Sequence, residues 1–263
     1  MAALLVGRIV ARYGRRHIAS VISPASRIEQ PYVLYLRPFL EDRKTYAMDR
    51  PYVENVWAGQ PMAPDNNKTE EELLVAQLKS LGRVIAVGHP NEQVPLPGAE
   101  RLYLPSDDWK PVVSDLIRDA RLVVLVAGDT EGTLWEFTEV VRLLPLSRLV
   151  ILVYGKPEKY LKFRRAIGPA FSGRESELGG RKSDLYPPEL PFLPPGKRHI
   201  MQRKQLIWGA VHFPPRQRAE FSLLDVSNWG PTVTPIRRKA IENKVEKLLQ
   251  KIEAHLTILE SKS

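Results

Sequence analysis

The chain has 263 residues, 43% of them hydrophobic and 26% charged, a balance that fits a globular protein and excludes disorder throughout. It contains no cysteine, which excludes disulfides, Cys-ligated zinc and a thiol nucleophile and is compatible with a reducing compartment. The net charge of +9 is uneven: residues 1–155 hold 18 Lys/Arg and 19 Asp/Glu, whereas residues 156–263 hold 21 and 11. A basic tail attracts nucleic acid, anionic lipid or acidic protein, but a solvated surface is the simpler reading. No nucleic-acid motif accompanies the tail, so nucleic acid is not an expected partner. The histidines His17, His89, His199, His212 and His255 show no metal-ligand spacing, so no metal site is expected.

Residues 1–29 are read as an N-terminal unit, a basic amphipathic helix over Met1–Val21. It sets Leu4, Leu5, Ile9 and Val10 against Arg8, Arg12, Arg15 and Arg16, and Ser23-Pro24 ends it. Its apolar run is far shorter than the ~20 residues of a membrane span, and no signal-peptide cleavage site follows. Such a helix lies on a membrane surface or docks on its own domain. Residues 30–263 are read as one α/β domain. Tyr32–Arg37 is a first strand, and residues 43–68 form a long Pro- and Asn-rich connection. Thr69–Glu72 fits a capping box opening a helix that Gly82 stops. Arg83–Gly88 is a second strand, followed by a loop over 89–100 containing Pro95-Leu-Pro-Gly98.

Arg101–Leu104 reads as a short edge strand, and Ser106 as the cap of a helix with Trp109, Val112, Val113, Leu116 and Ile117 on one face. Leu122–Ala127 is a continuous apolar strand, Gly128-Asp129-Thr130 a turn, and a helix opens near Gly132 or Thr133 with Glu136 in its first turn. Arg148–Tyr154 is a further strand, Lys156–Ile167 a helix, and 168–200 an irregular excursion. Leu206–Phe213 is a last strand and Pro235–Leu259 a closing helix. Alternating strands and helices predict right-handed crossovers and a mainly parallel five-stranded sheet with helices on both faces.

Three stretches resemble a TIR-type domain. Tyr35–Asp42 resembles the first box, an apolar strand ending in an aromatic and acidic segment; the Pro95–Gly98 loop resembles the loop after the second strand; and the strand before Leu134-Trp135-Glu136 resembles the region carrying the glutamate of NAD-cleaving members. Trp135 adjoins Glu136, where TIR domains set the tryptophan several residues earlier, and Gly128-Asp129-Thr130 stands where a serine is usual. The spelling Gly132-Thr133-x-x-Glu136 is closer to nucleoside 2-deoxyribosyltransferases, which share the architecture. The resemblance implies a flavodoxin-like (TIR-like) fold and a site for a nucleotide N-glycosidic bond, with NAD(P) as substrate rather than cofactor. It also implies a cytoplasmic role in signalling or defence, membrane-associated if the N-terminal helix binds lipid, and self-association through the 89–100 loop.

On that reading Glu136 is the catalytic carboxylate, stabilising an oxocarbenium-like state or forming a covalent glycosyl intermediate. Thr133 binds ribose or phosphate, Gly128 and Gly132 let the backbone approach the ligand, and the helix amides favour phosphate. Asp129 borders the site, Arg37 pairs with phosphate, and Phe39 or Trp135 stacks on a base. Each residue has a plainer reading. Thr133–Glu136 also fits a capping box, in which the glutamate returns to its own helix terminus; Asp129 is then a turn residue, Asp42 a loop acid, Arg37 a surface arginine, and Phe39 and Trp135 core aromatics. The competing function is a non-catalytic adaptor or nucleotide-sensing module acting by self-association.

Overall fold

The structure is a computed structural model and describes residues 21–22, 28, 31–38, 70–88, 98–104, 108–154, 157–174, 177, 187–193, 207–215, 217–224 and 234–261. The expected helix over residues 1–20, Phe39, Asp42, the 43–68 connection and most of the 89–100 loop lie outside these residues.

Along the chain run β1 (Val21–Ile22), β2 (Tyr32–Leu36), α1 (Glu70–Leu78), β3 (Arg83–Gly88), β4 (Glu100–Tyr103), α2 (Trp109–Asp119), β5 (Leu122–Val126), α3 (Glu131–Leu143), β6 (Leu149–Tyr154), α4 (Pro157–Gly173), β7 (Ile207–His212), β8 (Glu220–Leu223) and α5 (Thr234–Glu260). The strands form one sheet in the order β1-β4-β3-β2-β5-β6-β7-β8. The pairings from β1 through β6 are parallel; β7 is antiparallel to β6 and to β8. The α/β class and the mainly parallel sheet are as expected, and the inner strands are compatible with a flavodoxin-like order.

The sheet has eight strands rather than five. Val21, expected as the end of a helix, instead pairs with Arg101 in β4, so the sheet begins before residue 30. β8 was not foreseen; its four residues are only partly covered, and so short a half-buried run leaves little apolar pattern. β7 falls where expected but runs in the opposite direction. Its first residue, Ile207, is the register partner of Tyr154, the last residue of β6. The connection therefore starts and ends at the same edge of the sheet, and α4 is not a crossover. On the way back, Leu190 and Pro191 are held along α4, their carbonyls accepting from Arg164 and Tyr160 at 2.9 and 2.8 Å.

Every residue of β2, β5 and β6 is buried, as expected of strands covered on both faces. Side chains alternate between the faces. Leu34, Leu36, Val123, Leu125, Ile151 and Val153 join Val113 and Ile117 of α2, Phe137 and Val140 of α3, and Phe163 of α4. Val33, Tyr35, Val124, Val126, Val150 and Leu152 join Leu74 and Leu78 of α1 and Val245, Leu248, Leu249, Ile252 and Leu256 of α5. Each such aliphatic side chain contributes roughly 1.5–3 kcal/mol of burial. Arg121 fixes the far end of α5, pairing with Glu260 at 2.9 Å and donating to the Leu81 carbonyl. No described helix is long and apolar enough to cross a membrane.

β2 is the switch point of this topology. From it the chain steps to β3 on one side, and β5 later fills the other. In open α/β sheets, ligands bind outside the carboxyl ends of the strands that flank such a switch. Here those ends are Arg37-Pro38 and Ala127–Thr130.

Gly82, which turns the chain into β3, has φ of 142°, and a Cβ there would lie 2.5 Å from the Pro31 carbonyl oxygen. Gly82→Ala should lower stability by roughly 1–3 kcal/mol, read from urea unfolding. An unchanged midpoint would remove the constraint claimed for this turn.

Candidate functional site

The site is built where β2, β5 and α3 meet. Thr130 is the N-cap of α3, its side chain accepting from the Thr133 amide at 3.3 Å. The two threonine hydroxyls lie 2.9 Å apart. A Cβ on Gly128 would lie 2.9 Å from Pro38 Cγ and 3.6 Å from Thr133 Oγ1, so the absence of a side chain lets the two strand ends and the helix start close together. Gly132 has no such role: a Cβ there would meet nothing within 4 Å. Asp129 is exposed in the turn.

This geometry corrects the start of the helix. α3 opens at Glu131 with Thr130 as its cap, one or two residues earlier than expected. The Thr133 amide is already satisfied by Thr130, so Thr133 is not the cap and Glu136 does not close a capping box. Glu136 sits in the second turn of α3 and is only 4% exposed. No hydrogen bond or ion pair engages it among the described residues. Burial pushes its carboxyl from 4.5 up to about 8, because desolvation penalises the charged form. In this state the side chain is a neutral acid at pH 7.

Glu139, one turn further on and just as buried, has the opposite fate. Burial alone would raise it too, but hydrogen bonds from Arg142, Ser114 and Arg174 outweigh that and hold its carboxyl down at about 2. Ser114 Oγ donates at 2.6 Å, and Arg142 and Arg174 form ion pairs at 2.5 and 3.0 Å. Sequence reasoning passed over this cluster. The Glu139–Arg142 spacing of three is a readable helical pair, whereas Arg174, 35 residues from Glu139, had been assigned to the irregular excursion. α4 in fact runs on through Gly168 and Pro169 to Gly173, and Arg174 follows directly.

Trp135 is committed to packing. It meets Trp109 edge-on at 4.9 Å between centroids, and Lys110 and Arg174 lie 5.6 and 5.1 Å from its ring centroid. These contacts fit the core-aromatic reading and leave its stacking on a base without structural support. Arg37 follows β2 and is buried, its guanidinium 6.0 Å from the Tyr35 ring. Tyr35 packs with α1 and α5, whereas α3 covers the other face. The structure brings Gly128 against Pro38 and Thr133, and Glu136 follows one helical turn after Thr133 on α3.

The fold and site define an α/β protein with a mainly parallel sheet and, on the helix after β5, a buried acid that has no partner among the described residues. No protein-family model matches the chain, and no curated protein or solved structure matches it either.

Two stability predictions follow from the paired acids. Unfolded, Glu136 ionises near 4.5; folded, near 8. Between those values the folded chain keeps a proton the unfolded chain has released, so a contribution complete below pH 4.5 is lost as pH rises through 8. Glu136→Gln escapes that loss and should gain stability over the parent across this window, by on the order of several kcal/mol at pH 8. A flat difference in thermal unfolding from pH 5 to 9 would contradict the buried neutral acid. Glu139→Gln should cost on the order of 3 kcal/mol at pH 7. Because its folded value is depressed, that difference should shrink as pH falls from 4.5 towards 2.

Proposed function

We propose that this chain is a TIR-like, flavodoxin-like nucleotide-processing domain that cleaves the N-glycosidic bond of NAD(P) or a related nucleotide, with Glu136 as the reacting acid. One observation carries the reading: a buried carboxyl group in the second turn of α3 that neither caps its helix nor pairs with any described residue. Leaving a group of this kind buried costs free energy, and such costs concentrate at functional sites. Its position beside the strand ends flanking the switch point adds support.

The chemistry follows from the charge. A nicotinamide glycoside carries a positive ring. Brought beside Glu136, that ring lowers the acid's pKa and drives off its proton, leaving a carboxylate at C1′. The C1′–N bond then breaks with its electron pair passing to the ring, and neutral nicotinamide departs. The carboxylate stabilises the oxocarbenium-like sugar. Water adds to C1′, and its proton passes to Glu136. Thr133, 2% exposed and one turn before Glu136, and the amides at the start of α3 are the groups we assign to ribose and phosphate. Self-association through the 89–100 loop, and a cytoplasmic site with the basic N-terminal segment on a membrane surface, belong to the same proposal.

The test is nicotinamide release from NAD by the full chain, dilute and concentrated, with folded Glu136→Gln alongside. The variant should lose roughly 100-fold or more. For the parent, kcat/KM should rise with pH and level off above about 8, because the free protein must shed a proton before reacting. Equal release by parent and variant would remove Glu136 from the chemistry. No release by an assembled parent would favour a non-catalytic adaptor or nucleotide-sensing module.

A further inference from the structure

Arg174 makes an unusual set of contacts for a residue at the end of a helix. Its Nη1 donates to the Trp135 carbonyl at 3.2 Å and to the Thr138 hydroxyl. Its Nη2 pairs with Glu139 and its Nε with Glu177, each at 3.0 Å. All three guanidinium nitrogens are engaged, and three of the four partners lie on α3. The Trp135 carbonyl belongs to the peptide unit that joins Trp135 to Glu136. Thr138 Oγ1 donates to the same oxygen at 2.8 Å. The backbone that carries Glu136 is thus gripped from behind, one residue before the acid and again at Glu139 one turn later.

The element that delivers Arg174 has a weak point in it. Pro169 stands inside α4, where it cannot donate to the preceding turn and its ring strains the helix. Gly168 precedes it, and a Cβ there would meet nothing within 4 Å, so packing does not explain the glycine. Beyond this break, two anchors return the end of α4 to α3: Phe171, 6.1 Å from the Phe137 ring, and Arg174.

We propose that Arg174 is a positioning residue, carried on a hinged end of α4, that clamps the turn of α3 bearing Glu136 and so sets where that acid stands. The inference rests on Glu136 being the reacting group. The planar fork is what the clamp needs, since a lysine reaches Glu139 as a point charge but cannot also hold the carbonyl and the hydroxyl. Neutralising Glu139 is the second part of the role. A bare carboxylate three residues along the helix opposes ionisation of Glu136.

The experiment uses the full chain with Arg174→Met and Arg174→Lys. It reads the Glu136 titration by carboxyl carbon resonance, amide exchange in α3, and nicotinamide release. Arg174→Met should move the Glu136 midpoint upward by about 0.5–1 pH unit and speed exchange at residues 136–140 by roughly tenfold or more. Arg174→Lys should restore the midpoint but not the exchange protection. If Arg174→Met does not fold, Arg174→Lys decides the matter through exchange alone. A folded variant with an unchanged midpoint and unchanged protection overturns the clamp, whatever its thermal stability. Shifted midpoint and exchange in a chain that never releases nicotinamide uphold the clamp and sink the proposed reaction. Release that Arg174→Met leaves intact does the reverse.

Discussion

The burial of the central sheet on both faces is the constraint that everything else obeys. β2, β5 and β6 carry no charged side chain, because α2, α3 and α4 seal one face and α1 and α5 the other. Chemistry is then confined to strand ends and helix starts, where the backbone leaves the sheet with free polar groups. The switch at β2 opens one such place, and the close fit of Gly128 to Pro38 and Thr133 draws it together. Glu136 enters this region from a helix whose other contacts are almost all apolar or ion-paired.

The contrast between Glu136 and Glu139 shows how little separates an acid kept neutral from one held ionised. The two lie one turn apart on the same helix with nearly the same burial. Glu139 has a serine from α2 and two arginines around it and stays ionised; Glu136 has none of these and keeps its proton. Environments that push neighbouring carboxyls in opposite directions are a familiar device for assigning acid and base roles. Under the proposed clamp, Arg174 also holds α3 at that turn, so the satisfied acid helps to fix the unsatisfied one.

What the amino-acid order made legible was local. The continuous apolar run at β5 and the helix behind it were placed to within a residue or two, because burial on both faces and a turn of Gly, Asp and Thr each leave a direct mark. The cap of α3 was misplaced for an equally local reason: Thr130 and Thr133 are spaced so that either could cap the helix, and only the fold decides between them. The direction of β7 was not legible, since an apolar strand reads the same either way. The length of α4 was hidden by Gly168-Pro169, a pair that ordinarily ends a helix but is tolerated here with Pro169 turned to solvent. The tie of Arg174 to α3 had no signature, because its partners there lie 35 to 39 residues away.

The second face of the sheet is closed largely by α5, the last of the described elements to leave the ribosome. Val33, Tyr35, Val124, Val126, Val150 and Leu152 are all synthesised well before Val245 to Leu256 can cover them. Until then, among the described helices, only α1 covers that face. That ties completion of this face to the arrival of a single late helix. A strand-by-strand assembly that finished its core early would not carry this dependence.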